Sequence, residues 1–249
     1  MSNLFGCSRV LAVGDIHGMY EKLIKLMEQI QFAPGDDLLI FLGDYIDRGP
    51  QSLECLDYVM NLQQQYPERV VCLKGNHEAM CVNYYWFKAD KIGFILAGKD
   101  LQAALMWSGN GGKETKKQFT KLKKPELQAR LSWMRKLPNC YQIEDFYFCH
   151  AGIAPKVSLR EQREQDLLWI RDEFFDWYDG CDGTIVVGHT PVQYWYCQEG
   201  ELPNTPQFLK SHIIMCDTGA YMDGMPLNSR IVSGKLSCVD VLSKMFWQA

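Results

Sequence analysis

Apolar and polar positions follow two periods along the first third of the chain. Residues 10–13 form a short apolar run that stops at Gly14; residues 38–42 stop at Gly43, and residues 69–73 lie just before Gly75. Runs of this length, rich in Val, Ile and Leu, predict buried β-strands. Between them, residues 20–31 carry Leu23, Leu26, Met27 and Ile30 at helical spacing, and residues 52–65 carry Leu53, Leu56, Val59 and Met60 on one face. Pro34-Gly35-Asp36 reads as a turn, and Pro67 ends the second helix. A β-α-β-α-β series implies a parallel sheet with helices packed on it. The carboxyl ends of its three strands then share one edge.

The middle of the chain is mostly helical in pattern. Residues 78–87 and 100–107 predict helices, Gly109-Asn110-Gly111-Gly112 a loop, and residues 125–136 a helix opened by Pro125. From Cys140 the period changes. Residues 141–144 and 146–149 predict a hairpin around Asp145, and residues 184–187, 213–216 and 236–242 predict further strands. The economical arrangement is an α/β protein with a second sheet stacked on the first. No repeat, low-complexity tract or linker divides the sequence, so residues 1–249 are expected to form one domain.

Composition narrows the function classes. A length of 249 residues is ample for a sizeable core. The formal charge of −4 argues against general nucleic-acid binding, which depends on a basic surface. The ten cysteines are scattered, with no C-x-x-C pair, and several sit in apolar runs (Cys72, Cys149, Cys216, Cys238); reduced, buried thiols are the expectation. Residues 1–5 hold no basic region, and no apolar stretch approaches membrane-spanning length. A cytoplasmic monomer that binds neither membrane nor nucleic acid is expected.

The chemistry is concentrated in short blocks that follow the apolar runs. They read Gly14-Asp15-Ile16-His17-Gly18, Gly43-Asp44-Tyr45-Ile46-Asp47-Arg48-Gly49 and Gly75-Asn76-His77-Glu78, with His150-Ala151-Gly152 and Gly188-His189-Thr190 later. Strand ends are where an α/β protein places its site. Carboxylate, imidazole and amide oxygen suit Mn, Fe or Zn. Asp15 and His17, one residue apart, can face one ion in an extended turn; Asp44, on the next strand, is placed to bridge two; Asn76, His150 and His189 would complete the second. Two such ions, about 3.5–4 Å apart, stabilise attacking and leaving oxygens and acidify the water between them. A single histidine of this kind is most often a hydrogen-bonded structural one. The ordered set of blocks, each behind a strand, argues for a site.

These blocks resemble the phosphoprotein phosphatase superfamily of calcineurin-like metallophosphoesterases, and within it the small bacterial and phage serine/threonine phosphatases. The likeness runs over essentially the whole chain; residues 107–115 and Asp217-Thr218-Gly219 also resemble the bacterial branch. It implies a β-sandwich flanked by helices, two divalent metals (most naturally Mn), and hydrolysis of a phosphorylated protein or small phosphoester by a metal-bridging hydroxide. It implies Asp15, His17 and Asp44 on the first metal and Asp44, Asn76, His150 and His189 on the second. His77 matches the general acid and Asp47 the carboxylate that orients it. Arg48 and Arg171, with Asn76, match groups against the substrate phosphate. These roles suit the residue types. Arginine grips phosphate oxygens bidentately, and an Asp–His pair holds a proton ready for an alkoxide leaving group. Lys74 departs from the pattern, because some close relatives carry arginine before Gly-Asn-His-Glu.

Two other readings compete. Symmetrical dinucleoside tetraphosphate hydrolases share the scaffold, but usually lack the aspartate before the arginine of the second block and carry Asp after Gly-Asn-His; Asp47 and Glu78 favour the phosphatase. A non-catalytic metal-binding interaction protein would have lost ligands, and all six are present here. The basic run from Lys113 through Lys124 reads as a solvated helix face, the aromatic clusters 84–87 and 194–196 mainly as packing, and His212 as structural.

Overall fold

The computed structural model describes residues 6–89, 97–196 and 202–249. Two five-stranded sheets dominate it, and β9 (Pro226–Leu227) and β10 (Arg230–Ile231) pair as a separate two-stranded one. The first orders β12 (Phe246–Gln248), β11 (Ser237–Asp240), β1 (Arg9–Val13), β2 (Asp37–Phe41) and β3 (Val70–Cys72). The second orders β4 (Cys140–Ile143), β5 (Phe146–Cys149), β6 (Thr184–Val187), β8 (Ile213–Met215) and β7 (Gln207–Leu209). In each, three parallel strands sit beside antiparallel ones: β1, β2 and β3 are parallel in the first, and β5, β6 and β8 in the second. Six strand ends that share a direction within each sheet supply the loops of the site.

The alternation of side chains explains the layering. Val10, Ala12, Leu38, Ile40 and Val239 on the first sheet pack against Phe148, Val186, Ile214 and Cys216 on the second, forming the core between the sheets. The intervening residues Leu11, Val13, Leu39 and Phe41 face the opposite way, onto Leu23 and Leu26 of α1 (Tyr20–Ile30) and Leu56 and Val59 of α2 (Ser52–Gln65). On the far side of the second sheet, Tyr147, Ile185 and Ile213 meet Leu167 of α7 (Glu164–Trp169) and Phe174 and Phe175 of α8 (Asp172–Trp177). Strands buried on both faces need continuous apolar runs, which is the pattern the sequence carries.

Four further helices, α3 (Asn76–Ala89), α4 (Ala97–Gly109), α5 (Gly112–Phe119) and α6 (Lys124–Lys136), add Met80, Trp107, Phe119 and Met134 to the same apolar layer as α1 and α2, while α9 (Val192–Tyr196) follows β6 and packs Val192 with the outer face of the second sheet. Several boundaries differ from the sequence pattern. The expected loop at 109–112 shrinks to Asn110 and Gly111, because α4 runs to Gly109 and α5 begins at Gly112. The basic run therefore starts on a helix, with the Lys116 ammonium 4.8 Å from the Tyr84 ring centre. The helices α7 and α8 were not expected; at six residues each they are too short to show a period. Of the aromatic clusters, Tyr84 is buried while Trp86 and Tyr194 are exposed; the side chain of Phe87 lies outside the described residues. Among the described residues, no helix is long and apolar enough to cross a membrane.

Candidate active site

The loops after β1, β2, β3, β5, β6 and β8 meet at one place, and glycines let their backbones close in. A Cβ on Gly75 would stand 2.1 Å from Asp44 Oδ1, and one on Gly188 would stand 2.1 Å from Asp15 Oδ1. Side chains larger than hydrogen would force these loops apart. The result is two buried triads that share Asp44: His17, Asp44 and His77, and Asp44, His150 and His189. Within each, the potential ligand atoms lie within 4.8 Å of one another.

Backbone carbonyls settle which imidazole nitrogen faces inward. His17 Nδ1 lies 3.0 Å from the Ile46 carbonyl, and His150 Nδ1 lies 2.9 Å from that of Leu42. A carbonyl requires a donor, so each Nδ1 carries the hydrogen and each Nε2 presents a lone pair. Those lone pairs point at Asp44 Oδ2, 3.5 Å from His17 and 3.4 Å from His150. Asn76 Oδ1 adds another, 2.9 Å from His150 Nε2. His189 Nε2 is buried and has no hydrogen-bond partner. Reversing the Asn76 amide would let its nitrogen donate to His150 Nε2 and both Asp44 oxygens, but would leave His189 Nε2 unpaired. A cation between the acceptors satisfies all of them.

The electrostatics point the same way. Burial, helped by Arg48, pushes His17 well below the ordinary histidine range, and burial, helped by His150 and Arg171, does the same to His189. Neutral imidazole is the ligand form. Burial pushes Asp15 well up, with Asp217 and Asp44 adding to it. Burial also raises Asp217, whose Oδ2 is unpartnered, and takes Glu78 to about 8. Asp44 goes the other way: against the opposing effect of burial, His150, His77 and His17 hold its carboxyl well down. The buried carboxyl groups of Asp44, Asp15 and Asp217, with the neutral imidazoles of His17 and His189, form a donor set suited to divalent cations. The residues therefore fit two ions, with Asp44 common to both triads.

Two placements refine the expectation from sequence. Asp15 is in neither triad; both its oxygens accept the His189 backbone N–H, at 3.1 and 3.0 Å, so it lies beside the second group. His77 joins the first triad, with Nε2 3.8 Å from Asp44 Oδ2. Its other nitrogen is committed elsewhere: Nδ1 is 2.7 Å from Asp47 Oδ2. Asp47 is fully buried and held from three sides. Trp107 Nε1 donates to Oδ2 at 2.8 Å, the Thr115 hydroxyl to Oδ1 at 2.6 Å, and the Asp47 backbone N–H donates to Ser52 and Thr115. Asp47 can thus fix the ring with Nε2 turned to the centre of the site.

The arginines flank this centre. Arg48 Nη2 is 3.3 Å from His77 Nε2. Arg171 donates to the His189 carbonyl at 3.2 Å and to Thr190 Oγ1 at 2.8 Å. Lys74 takes a different course: its ammonium is 3.8 Å from Glu164, in a groove of about 420 Å³ that it shares with Trp86 and Arg135.

Sequence reasoning left four functional neighbours without a role. Glu78 accepts the backbone N–H groups of Asp44 (2.9 Å), Tyr45 (2.9 Å) and Gly75 (3.0 Å), tying the second and third loops together. Trp107 and Thr115 anchor Asp47, a role that nothing local to residues 107–115 announces. Tyr221 stacks on Arg48 and had no motif around it. A buried glutamate next to the His77 block was the one available signal; contacts spanning 60 to 68 residues leave none.

Comparison with known proteins agrees with this architecture. The model for the calcineurin-like phosphoesterase family matches residues 8–214, and the chain belongs to that family. It is 30% identical over 150 residues to the symmetrical bis(5'-nucleosyl)-tetraphosphatase of Cronobacter sakazakii, and 30% identical over 156 residues to that of Escherichia coli K12. Those matches cover 59% and 61% of this chain but only 44% and 46% of the relatives. The chain thus spans less than half the length of these curated relatives. Among solved structures, a protein assigned as a diadenosine tetraphosphatase aligns with TM-score 0.64 and 20% identity, over 100% of this chain and 95% of that one. A serine/threonine phosphatase from Saccharomyces cerevisiae aligns with TM-score 0.63 and 17% identity, over 95% and 74%. At these identities the two structures bear on the fold alone.

Proposed function

We propose that this chain is a metal-dependent phosphomonoesterase that acts on alkyl phosphates, with phosphoserine or phosphothreonine in proteins as the substrate class. The observation that carries the proposal is the buried His77–Asp47 pair, 2.7 Å apart, beside the metal-ligand cluster. Bound in the two triads, divalent ions such as Mn would supply a nucleophile from water and neutralise phosphoryl charge. The protein does the rest. Asp44 is common to both triads, and Asp15, Asn76, His17, His150 and His189 would complete the ligand set around it. Arg48, beside His77, and Arg171, beside His189, hold phosphate oxygens. His77 delivers a proton to the leaving oxygen, and Asp47 keeps the ring aimed. A serine alkoxide leaves poorly and needs that proton; a nucleotide phosphate leaves readily and needs it less.

A second reading is symmetrical dinucleoside tetraphosphate hydrolysis, which the curated relatives' names favour. The two readings share scaffold, metals and arginines and differ in the leaving group. One experiment separates them: kcat/KM of the Mn-loaded protein for a phosphoserine peptide, p-nitrophenyl phosphate and diadenosine tetraphosphate. The phosphomonoesterase reading expects the peptide to exceed the dinucleotide. A tenfold or greater advantage for diadenosine tetraphosphate replaces it with the second.

A further inference from the structure

The Arg48 side chain leaves a strained turn, with φ +68° at Arg48 itself and +73° at the preceding Asp47. Its backbone N–H donates to the Gly111 carbonyl at 3.2 Å, and a Cβ on Gly111 would come within 2.7 Å of Arg48 Cγ. The start of the side chain is therefore walled on one side by backbone. On the other, the guanidinium carbon lies 4.2 Å from the ring centre of Tyr221. Among the described residues Arg48 forms no ion pair. Its charge meets a π face and, at 3.3 Å, His77 Nε2 rather than a paired carboxylate, and so remains available to an anion.

Tyr221 is itself anchored. Its ring meets His17 edge-on with centroids 5.0 Å apart, and its phenol lies beside the Tyr194 side chain on α9. The turn that carries it is pinned by Lys22 on α1, whose ammonium donates to the Ala220 and Gly234 carbonyls at 3.0 and 2.6 Å. A tyrosine held at both ends and laid against a flexible cation restricts that cation to one direction.

We infer that Tyr221 is a positioning residue for substrate phosphate: its ring sets the Arg48 guanidinium over the centre, and its edge contact with His17 ties that placement to the metal-ligand cluster. The inference rests on the phosphate-binding role proposed for Arg48. An arginine fixed before binding loses less side-chain freedom when phosphate arrives, so the ring raises affinity without touching the reacting atoms.

The test uses Mn-loaded protein and inorganic phosphate as probe, read by calorimetry and as competitive inhibition of p-nitrophenyl phosphate hydrolysis. Tyr221→Leu is expected to weaken phosphate at least fivefold and raise KM by a similar factor, with kcat changed less than twofold and metal content intact. Tyr221→Phe keeps the ring and is expected to recover most of the affinity. Tyr221→Met fills a similar volume without a π face and gives the same reading should the leucine variant fold poorly. In an Arg48→Ala background, Tyr221→Leu is expected to add nothing. Unchanged phosphate affinity in Tyr221→Leu, with a clear loss in Arg48→Ala, overturns the positioning role while leaving the Arg48 assignment standing. Independent, multiplying losses in the double variant also overturn it. No loss in Arg48→Ala removes the phosphate role of Arg48 and this inference with it.

Discussion

Replacing Asp47 by Asn tests the acid without dismantling the site. Trp107 Nε1 donates to Asp47 Oδ2 at 2.8 Å, so the asparagine must keep its oxygen there. Its NH2 then faces Thr115 Oγ1, which now donates to Oδ1 at 2.6 Å. That hydroxyl can turn to accept instead, because Ser52 Oγ, 2.9 Å away, can take its hydrogen. No buried donor is orphaned, and the fold should survive. What changes is the 2.7 Å contact to His77, which loses its charge. A hydrogen bond to an ionised partner contributes about 1.5–3 kcal/mol, and a neutral one about 0.5–1.5. The difference of about 1–2 kcal/mol falls on the proton-bearing form of the ring, and at roughly 1.4 kcal/mol per tenfold it amounts to about a 5–30-fold loss in rate. The loss should appear in kcat for a phosphoserine peptide and be smaller for p-nitrophenyl phosphate, whose leaving group is already a stable anion. Metal content should stay at the wild-type value. Equal losses on both substrates with metals intact would refute the argument that Asp47 acts through leaving-group protonation.

Other outcomes follow from the same geometry. His77→Asn should cost about 10²–10⁴-fold on the peptide while retaining metal; loss of metal by elemental analysis would make His77 a ligand instead. Chelator-treated protein should lose activity and regain it with Mn, and native mass spectrometry should then show two ions per chain; full activity after verified removal would contradict a metal role. Asp44→Asn should lower metal content more than Asp15→Asn, since Asp44 belongs to both triads and Asp15 to neither. Glu78→Ala would orphan three buried backbone N–H groups and should destabilise by at least about 3 kcal/mol, read from the urea midpoint; a shift below 1 kcal/mol would show that the loops re-pair without it.

The catalytic blocks were legible in the sequence because their information is local. Each proposed ligand sits within a few residues of a strand end, and the strand is announced by an apolar run. Parallel strands then put Asp44, Asn76 and His17 on one edge without any knowledge of the second sheet. The second sheet's contribution, His150 and His189, needed only the same rule. The supporting residues were not legible, for a physical reason. Trp107 reaches Asp47 across 60 residues and Thr115 across 68, from helices whose own patterns say nothing about what their side chains touch. Tyr221 lies in a short turn after Asp217 with no period at all. For Asp15 the block was legible but its contact was not: both its oxygens accept the His189 N–H from the other sheet, 174 residues away.

Backbone strain connects these levels. Of the thirteen described non-glycine residues with positive φ, five are His17, Asp44, Asp47, Arg48 and His189, all in the site. Asp and His tolerate the left-handed region better than most residues, but each such position still costs of order 1 kcal/mol or more. The strain persists because neighbouring loops over-determine it. The Asp44 carbonyl accepts the N–H groups of Ile16 and His17, Gly49 donates to His17, Arg48 donates to Gly111, and the His189 N–H is held by Asp15. Every one of these bonds joins two different loops. A left-handed residue a few positions beyond a strand end turns the backbone out of its extended course. Three of the six loops, those after β1, β2 and β6, turn in this way, and they bring His17, Asp44 and His189 into one cluster. The sandwich supplies the rigidity, the strained turns supply the convergence, and the hydrogen bonds between loops keep each turn from relaxing alone.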